Sequence, residues 1–303
     1  MRQSAFNPKA AVVIGVFSIS TSAIFVRLAS EASASIIANY RLLFAALLLL
    51  PFILFHYKHE FKRITTKNWG LSILAGVFLA LFFILWFESL NHTSVASSVV
   101  LISLQPILAF IGTYFIFGER FSSGAVISIF IVLLGGLIIG SGDFQLSGDV
   151  LYGDMLALLG AIAVTTYFLS GQHVRKNVSL ITYTFIVYSI SAVTLTLFNI
   201  IQQENFFSYP ASHWWIFIAL AIIPTFLGHS LFNWSLKWLS TSTISMAIVF
   251  EPVGAGILAF LILNEAPTWA QFLGGTIIVI GLFLFILSTS RKKKITISTK
   301  NYK

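Results

Sequence analysis

Ten apolar runs, each about long enough to cross a bilayer, follow one another along this chain with only short connections between them. They read near 10–29, 32–56, 69–90, 94–117, 122–141, 151–172, 179–202, 213–236, 241–263 and 268–290. A hydrocarbon core of about 30 Å takes roughly 20 apolar residues as helix, and within lipid each helix satisfies its own backbone polar groups. The pattern therefore predicts an all-α integral membrane protein with ten transmembrane helices. Composition agrees: 57% of the 303 residues are hydrophobic and only 9% are charged, where a soluble domain carries roughly a quarter charged. The chain has no cysteine, which removes disulfides, thiol catalysis and cysteine metal sites.

The charges sort by side. All but two of the 18 Lys and Arg residues fall before the first run, in alternate connections, or after the last run. They are Arg2 and Lys9; Lys58, Lys62, Arg63 and Lys67; Arg120; Arg175 and Lys176; Lys237; and Arg291 through Lys303. The intervening connections hold none, and Arg27 and Arg41 lie inside the first two runs. By the positive-inside rule both termini are expected in the cytoplasm of a bacterial inner-membrane protein. The net charge of +8 is then an orientation signal rather than a nucleic-acid footprint, so the expected partners are lipids and a small-molecule substrate, without nucleic acid. Trp69, Trp214, Trp215 and Trp269 open runs at interfacial depth. A secretory signal ending at Ala32-Ser33-Ala34 is the competing reading of the first run, but that run is long for one, and its removal would leave the repeat incomplete.

The chain also repeats itself. One constant displacement carries Leu85, Ser89 and Leu90 onto Leu231, Ser235 and Leu236, and Ser94 onto Ser240. The same displacement carries Pro106 onto Pro252, Glu119 onto Glu265 and Gly135 onto Gly281. The repeats read as 1–145 and 146–290, followed by a basic tail at 291–303. With five helices each, an odd number, the second repeat must cross the membrane in the opposite sense. Inverted repeats of this kind are a recurring construction of secondary transporters, which bind substrate in a central cavity between the halves.

Several segments resemble the drug/metabolite transporter superfamily, specifically its EamA-type ten-helix members. They are Ser35-Ile-Ile-Ala-Asn-Tyr-Arg41, Thr93-Ser-Val-Ala-Ser-Ser98, Leu104-Gln-Pro106 and Gly118-Glu119-Arg120 in the first half, and Phe250-Glu251-Pro252-Val253 and Asn264-Glu265-Ala266 in the second. Asn264 stands where the family pattern has glycine. The resemblance covers nearly the whole chain. It implies a bundle around a central cavity and export of amino acids, related metabolites or amphipathic drugs, without specifying which.

Ionisable groups at mid-membrane depth are costly and carry a functional hypothesis by default. Glu251, directly before Pro252, reads either as a proton-coupling or substrate-amine site, or as a neutral acid bridging helices. Gln105 is its counterpart directly before Pro106. Each proline leaves a carbonyl unpaired and permits a bend, so Pro106 and Pro252 are candidate helix breaks, with Glu119 and Glu265 candidate gates near the two mouths. Arg41 lies roughly 14 Å into its helix at 1.5 Å per residue, placed either to pair with Glu251, to receive a substrate carboxylate, or to snorkel outward. His229 and Asn233, one turn apart, and Tyr40 and Trp86 complete the substrate-binding candidates. Gly136-Leu-Ile-Ile-Gly140 is a close-approach motif fit for packing between repeats or for a homodimer.

No catalytic residue, metal or cofactor is expected, with proton coupling through Glu251 left open. The chain contains no phosphate-binding loop, H-E-x-x-H or G-x-S-x-G, and Asp143, Asp149 and Asp154 gather away from the midplane. The sequence therefore points to a secondary active transporter working by alternating access. An intramembrane enzyme, or a passive channel or assembly partner, is the alternative.

Overall fold

A computed structural model describes residues 6–93, 98, 101–140, 148–264 and 266–300. Among the described residues every regular element is helical. They are α1 (Pro8–Leu28), α2 (Ala34–Phe52, continuing as a π-helical turn Ile53–Tyr57), α3 (Thr66–His92), α4 (Gln105–Phe117) and α5 (Ser123–Gly140). The second half supplies α6 (Gly148–Val174), α7 (Leu180–Ile201), α8 (Ala211–Ser235), α9 (Thr241–Ile248 and Glu251–Leu263) and α10 (Trp269–Lys300). Eight are long and apolar enough to cross a membrane, and α4 and α5 are shorter apolar helices. Among the described residues the molecule is a multi-pass membrane protein of ten such helices, in two inverted five-helix repeats.

Local chemistry sets the helix ends. Asn7 caps α1 by accepting from the Lys9 N–H at 3.0 Å, with Pro8 as the first helical residue. Thr65 and Ser179 cap α3 and α7 in the same way. The C-termini of α4 and α9 show the repeat at single-residue resolution. Gly118 ends α4 at φ 66° and Asn264 ends the second arm of α9 at φ 56°, both left-handed. Asparagine tolerates this conformation better than most side chains, which accounts for its replacing glycine. The helix starts match too: Leu104 (φ −71°, ψ −9°) precedes α4 and Phe250 (φ −74°, ψ −13°) precedes the second arm of α9. Pro106 and Pro252 are each the second residue of these arms, where the missing N–H costs no intrahelical bond.

The strong helix contacts run between the repeats rather than within them. Helix α1 packs on α8 as α6 packs on α3; α1 meets α9 as α6 meets α4; α2 meets α8 as α7 meets α3. The pairs α2–α7 and α5–α10 are their own counterparts. Exchanging each helix for the one five places along thus returns the same packing, as a two-fold axis in the membrane plane requires. Where α5 crosses α10 the backbones nearly touch: a Cβ on Gly135 would lie 2.6 Å from the Gly274 carbonyl oxygen, and one on Gly274 would lie 2.5 Å from that of Gly135. The close approach therefore uses Gly135 and joins the repeats, while a Cβ on Gly136 would meet only Ser103 at 3.8 Å.

Two features depart from the helix pattern read from the sequence. The last helix continues beyond 290, through the basic stretch to Lys300. Helix α8 carries a π-helical segment, Ala221–Ser230, around Pro224. A proline inside a helix displaces the regular ladder, and a wider turn is one way to absorb it.

Candidate functional site

Helices α1, α2, α3, α6, α8 and α9 bring a polar cluster together between the repeats. At its centre is Arg41, 6% exposed. Its Nε donates to Thr225 Oγ1 at 2.8 Å, and Nη1 reaches Ser22 Oγ only at 3.4 Å. Its Nη2 is buried with no partner. The Phe83 ring centroid lies 5.3 Å from the guanidinium carbon, within cation–π range. The π-helical segment orients Thr225: its hydroxyl proton goes to the Leu220 carbonyl five residues back at 2.8 Å, so towards Arg41 it can only accept.

Glu251 begins the second arm of α9, and its backbone carbonyl accepts from Ser20 Oγ on α1 at 3.3 Å. No ion pair joins its carboxylate to Arg41. His229 lies on the π segment of α8, its Nδ1 buried without a partner, its ring parallel to Phe168 at 6.4 Å and 6.1 Å from Tyr167. Asn233, one turn on, donates to Tyr167 Oη at 2.6 Å, and its Oδ1 is unpartnered. Gln105 is buried and donates to Ser245 Oγ at 3.2 Å, tying α4 to α9 near both breaks.

Other candidates lie elsewhere. Tyr40 belongs to an aromatic cluster: it stacks on Phe217 at 5.1 Å and donates to the Phe206 carbonyl at 2.6 Å. Trp86 stacks on Phe82 at 5.6 Å, with its Nε1 buried and unpartnered. Glu119, past the end of α4, accepts from Gln172 Nε2 at 3.3 Å and Ser242 Oγ at 3.5 Å. Thr113 and Ser242 share a hydrogen bond at 2.6 Å, and Gln172 Oε1 accepts the Thr241 N–H at 2.6 Å. These bonds join α4, α6 and α9 on the side of the bundle where the chain begins. Glu265 lies outside the described residues.

The opposite side has its own clasp, whose His92 and Thr93 are not among the candidate residues read from the sequence. His92 Nδ1 meets Asp149 at 2.8 Å, its Nε2 meets Glu88 at 3.3 Å, and Thr93 donates to Asp154 at 2.8 Å. Also missed were Ser22, Phe83 and Thr225 around Arg41. The neighbouring Pro224, a further intramembrane proline, was the available signal. Arg175, counted among the loop cations, is buried at 4% exposure, with Nε donating to the Asn233 carbonyl at 2.9 Å. Burial pulls its pKa down to about 10, against the opposing influence of Tyr183 and Glu60, so it stays cationic at neutral pH. Near it a cleft of about 780 Å³ opens between the α2–α3 and α6–α7 connections, its lining including His59, Arg63, Lys67 and His173.

Two inverted halves, broken helices at equivalent places and a buried polar cluster between them form the geometry of a solute carrier. The model of the EamA-like transporter family matches residues 10–141 and, a second time, 151–287. The chain belongs to the EamA-like transporter family. Among its relatives, the uncharacterized transporter YxxF of Bacillus subtilis (strain 168) is 29% identical over 240 residues, covering 76% of each chain. An uncharacterized transporter of Archaeoglobus fulgidus is 24% identical over 276 residues, covering 91% of this chain and 95% of its own. A crystal structure superposes with a TM-score of 0.77 at 17% identity, over 92% of this chain and 99% of that one, a likeness of fold alone. The double match of the EamA-like model falls on the two halves whose helix ends and packing pairs correspond.

Proposed function

We propose that this EamA-like protein is a secondary active transporter of a bacterial inner membrane, with both termini in the cytoplasm. On this reading it exports a small organic solute, an amino acid, related metabolite or amphipathic drug, by alternating access, and it is a carrier rather than an enzyme. The observation that carries the reading is the Arg41–Glu251 neighbourhood: two ionisable groups of opposite sign between inverted repeats, Arg41 buried and Glu251 half-buried, beside a helix break and without a direct bond to each other. Buried charges left apart are expensive, and a site meant only to hold the bundle together would pair them.

Access would alternate between the two clasps. The Glu119–Gln172–Ser242 bonds close the cytoplasmic mouth, and the His92–Asp149 and Thr93–Asp154 bonds close the other. Glu251 supplies the coupling: a carboxyl that binds a proton in one state and releases it in the other links solute movement to the proton gradient. The test is efflux of a labelled amino-acid and metabolite mixture from proteoliposomes, with and without a pH gradient. Gradient-accelerated efflux that Glu251→Gln abolishes is the expected result. Gradient-dependent efflux that survives the substitution would move coupling elsewhere, and no solute movement at all would remove the transporter reading.

A further inference from the structure

A guanidinium has five N–H donors in a rigid fork, and here they are used unevenly. Nε is committed to Thr225 at 2.8 Å, whereas Nη1 makes one contact at 3.4 Å, at the outer limit of a hydrogen bond, and Nη2 makes none. The side edge of the fork is therefore occupied, while the end edge carries only the long Ser22 contact at Nη1. Thr225 is itself held by the Leu220 carbonyl, and Phe83 covers the guanidinium, so the residue is fixed from two directions while Nη2 stays buried without a partner. Snorkelling would take the charged head to water, yet Arg41 is 6% exposed. A buried cation with one nitrogen unpartnered and the next weakly bonded has one natural complement, an oxyanion that accepts from Nη1 and Nη2 together.

We propose that the Nη1–Nη2 edge of Arg41 is a carboxylate-binding site, and that the transported solute carries the carboxylate it receives. This rests on the transport reading and narrows it: amphipathic cations are excluded as preferred substrates. Thr225 and Ser22 are positioning residues that set the angle of the fork. Lysine could not replace Arg41, because an ammonium is a point donor without the paired geometry.

The test compares matched compounds on the purified full-length chain. Proteoliposomes are loaded with the protein amino acids, the corresponding 2-oxo acids, and the amines left by decarboxylation, and release is followed by mass spectrometry. In parallel, the melting temperature in detergent is measured with each set and with chloride at equal concentration. Expected is release of one or more acids or oxo acids at least tenfold faster than their amines, with stabilisation by the same acids and not by chloride. Arg41→Gln should abolish both effects and Arg41→Lys should reduce release at least tenfold. Amines released as fast as acids, stabilisation matched by chloride, or acid release within twofold of wild type in Arg41→Gln would each overturn the site. The wild-type comparison needs no variant to fold. Acid-specific stabilisation that depends on Arg41, with no release, would keep the site and remove the transport reading; absence of both effects would overturn both.

Discussion

Glu60, in the connection between α2 and α3, reaches across to the first turn of α7. There the Ser179 N–H donates to it at 2.7 Å, and the hydroxyls of Ser179 and Thr182 donate as well. Burial alone would raise the pKa of this carboxyl, but the bonds from Ser179 and Thr182, with Arg175 close by, outweigh it and hold the value below the ordinary 4.5. A carboxyl with a depressed folded-state pKa stabilises in full above its unfolded value, and the contribution fades as pH falls through the depressed one. The melting temperature of the wild type in detergent should therefore drop below about pH 4.5 more steeply than that of Glu60→Gln. At neutral pH, Glu60→Ala should cost about 1 kcal/mol, as the loss of a helix-capping acceptor does. Thr225 offers a second single-residue test. Thr225→Val leaves Arg41 Nε without its acceptor and should cost about 1–3 kcal/mol in detergent unfolding, while Thr225→Ser should keep both stability and solute release. Arg41 and Glu251 were legible in the sequence because charge in an apolar run stands out. Thr225 and Phe83 were not, because residues of both types are common in membrane helices and only the three-dimensional approach of α2, α3 and α8 selects these.

Among the elements, the broken helices and the glycine seam do different work. Pro252 is the second residue of an arm whose preceding residues leave the helical ladder, so Pro252→Ala permits an unbroken α9 by restoring an N–H. Melting should stay within about 1 kcal/mol of wild type, since alanine in place of proline favours helix, while solute release falls at least tenfold because Glu251 turns with the arm. The seam of α5 and α10 should respond the other way. Gly135→Ala puts a methyl group 2.6 Å from the Gly274 carbonyl oxygen, closer than van der Waals contact allows, and should cost about 1–3 kcal/mol by overpacking. Denaturant titration in mixed micelles would measure both. The spans themselves were readable from hydropathy, and the two breaks from their prolines. The π segment of α8 was not, since a proline in a run does not say whether the helix bends, breaks or widens. The α5–α10 approach uses Gly135 rather than Gly136: closely spaced glycines mark a small-residue face, and the partner helix decides which of them it touches.

Across the whole molecule, the repeat was visible in sequence because Pro106 and Pro252, or Glu119 and Glu265, can be compared one by one. How the repeats interlock was not, because packing between distant helices leaves no local periodicity. Having no native cysteine, the chain allows the interlocking to be probed with introduced pairs. Thr113 and Ser242 hydroxyl oxygens lie 2.6 Å apart across α4 and α9, so a Thr113→Cys, Ser242→Cys disulfide should hold the chain-terminus side shut and stop solute release until reduced. Ser122 and Ser288 touch across the α5–α10 seam, which has no need to open. A disulfide between cysteines there should leave release within about twofold of the reduced form, allowing for modest bond strain.

Because nearly every strong contact joins one repeat to the other, the first half of the chain has little to pack against when it is made. Arg41 and Thr225 are 184 residues apart in sequence, which at 5–20 residues per second of synthesis is a delay of roughly 10–40 s. Throughout that interval a newly inserted α2 holds its guanidinium in the bilayer without the hydroxyl that will later receive it. Biogenesis of this protein thus contains a vulnerable waiting period, in which insertion factors, a protease or a neighbouring nascent copy can meet the first repeat before the second arrives.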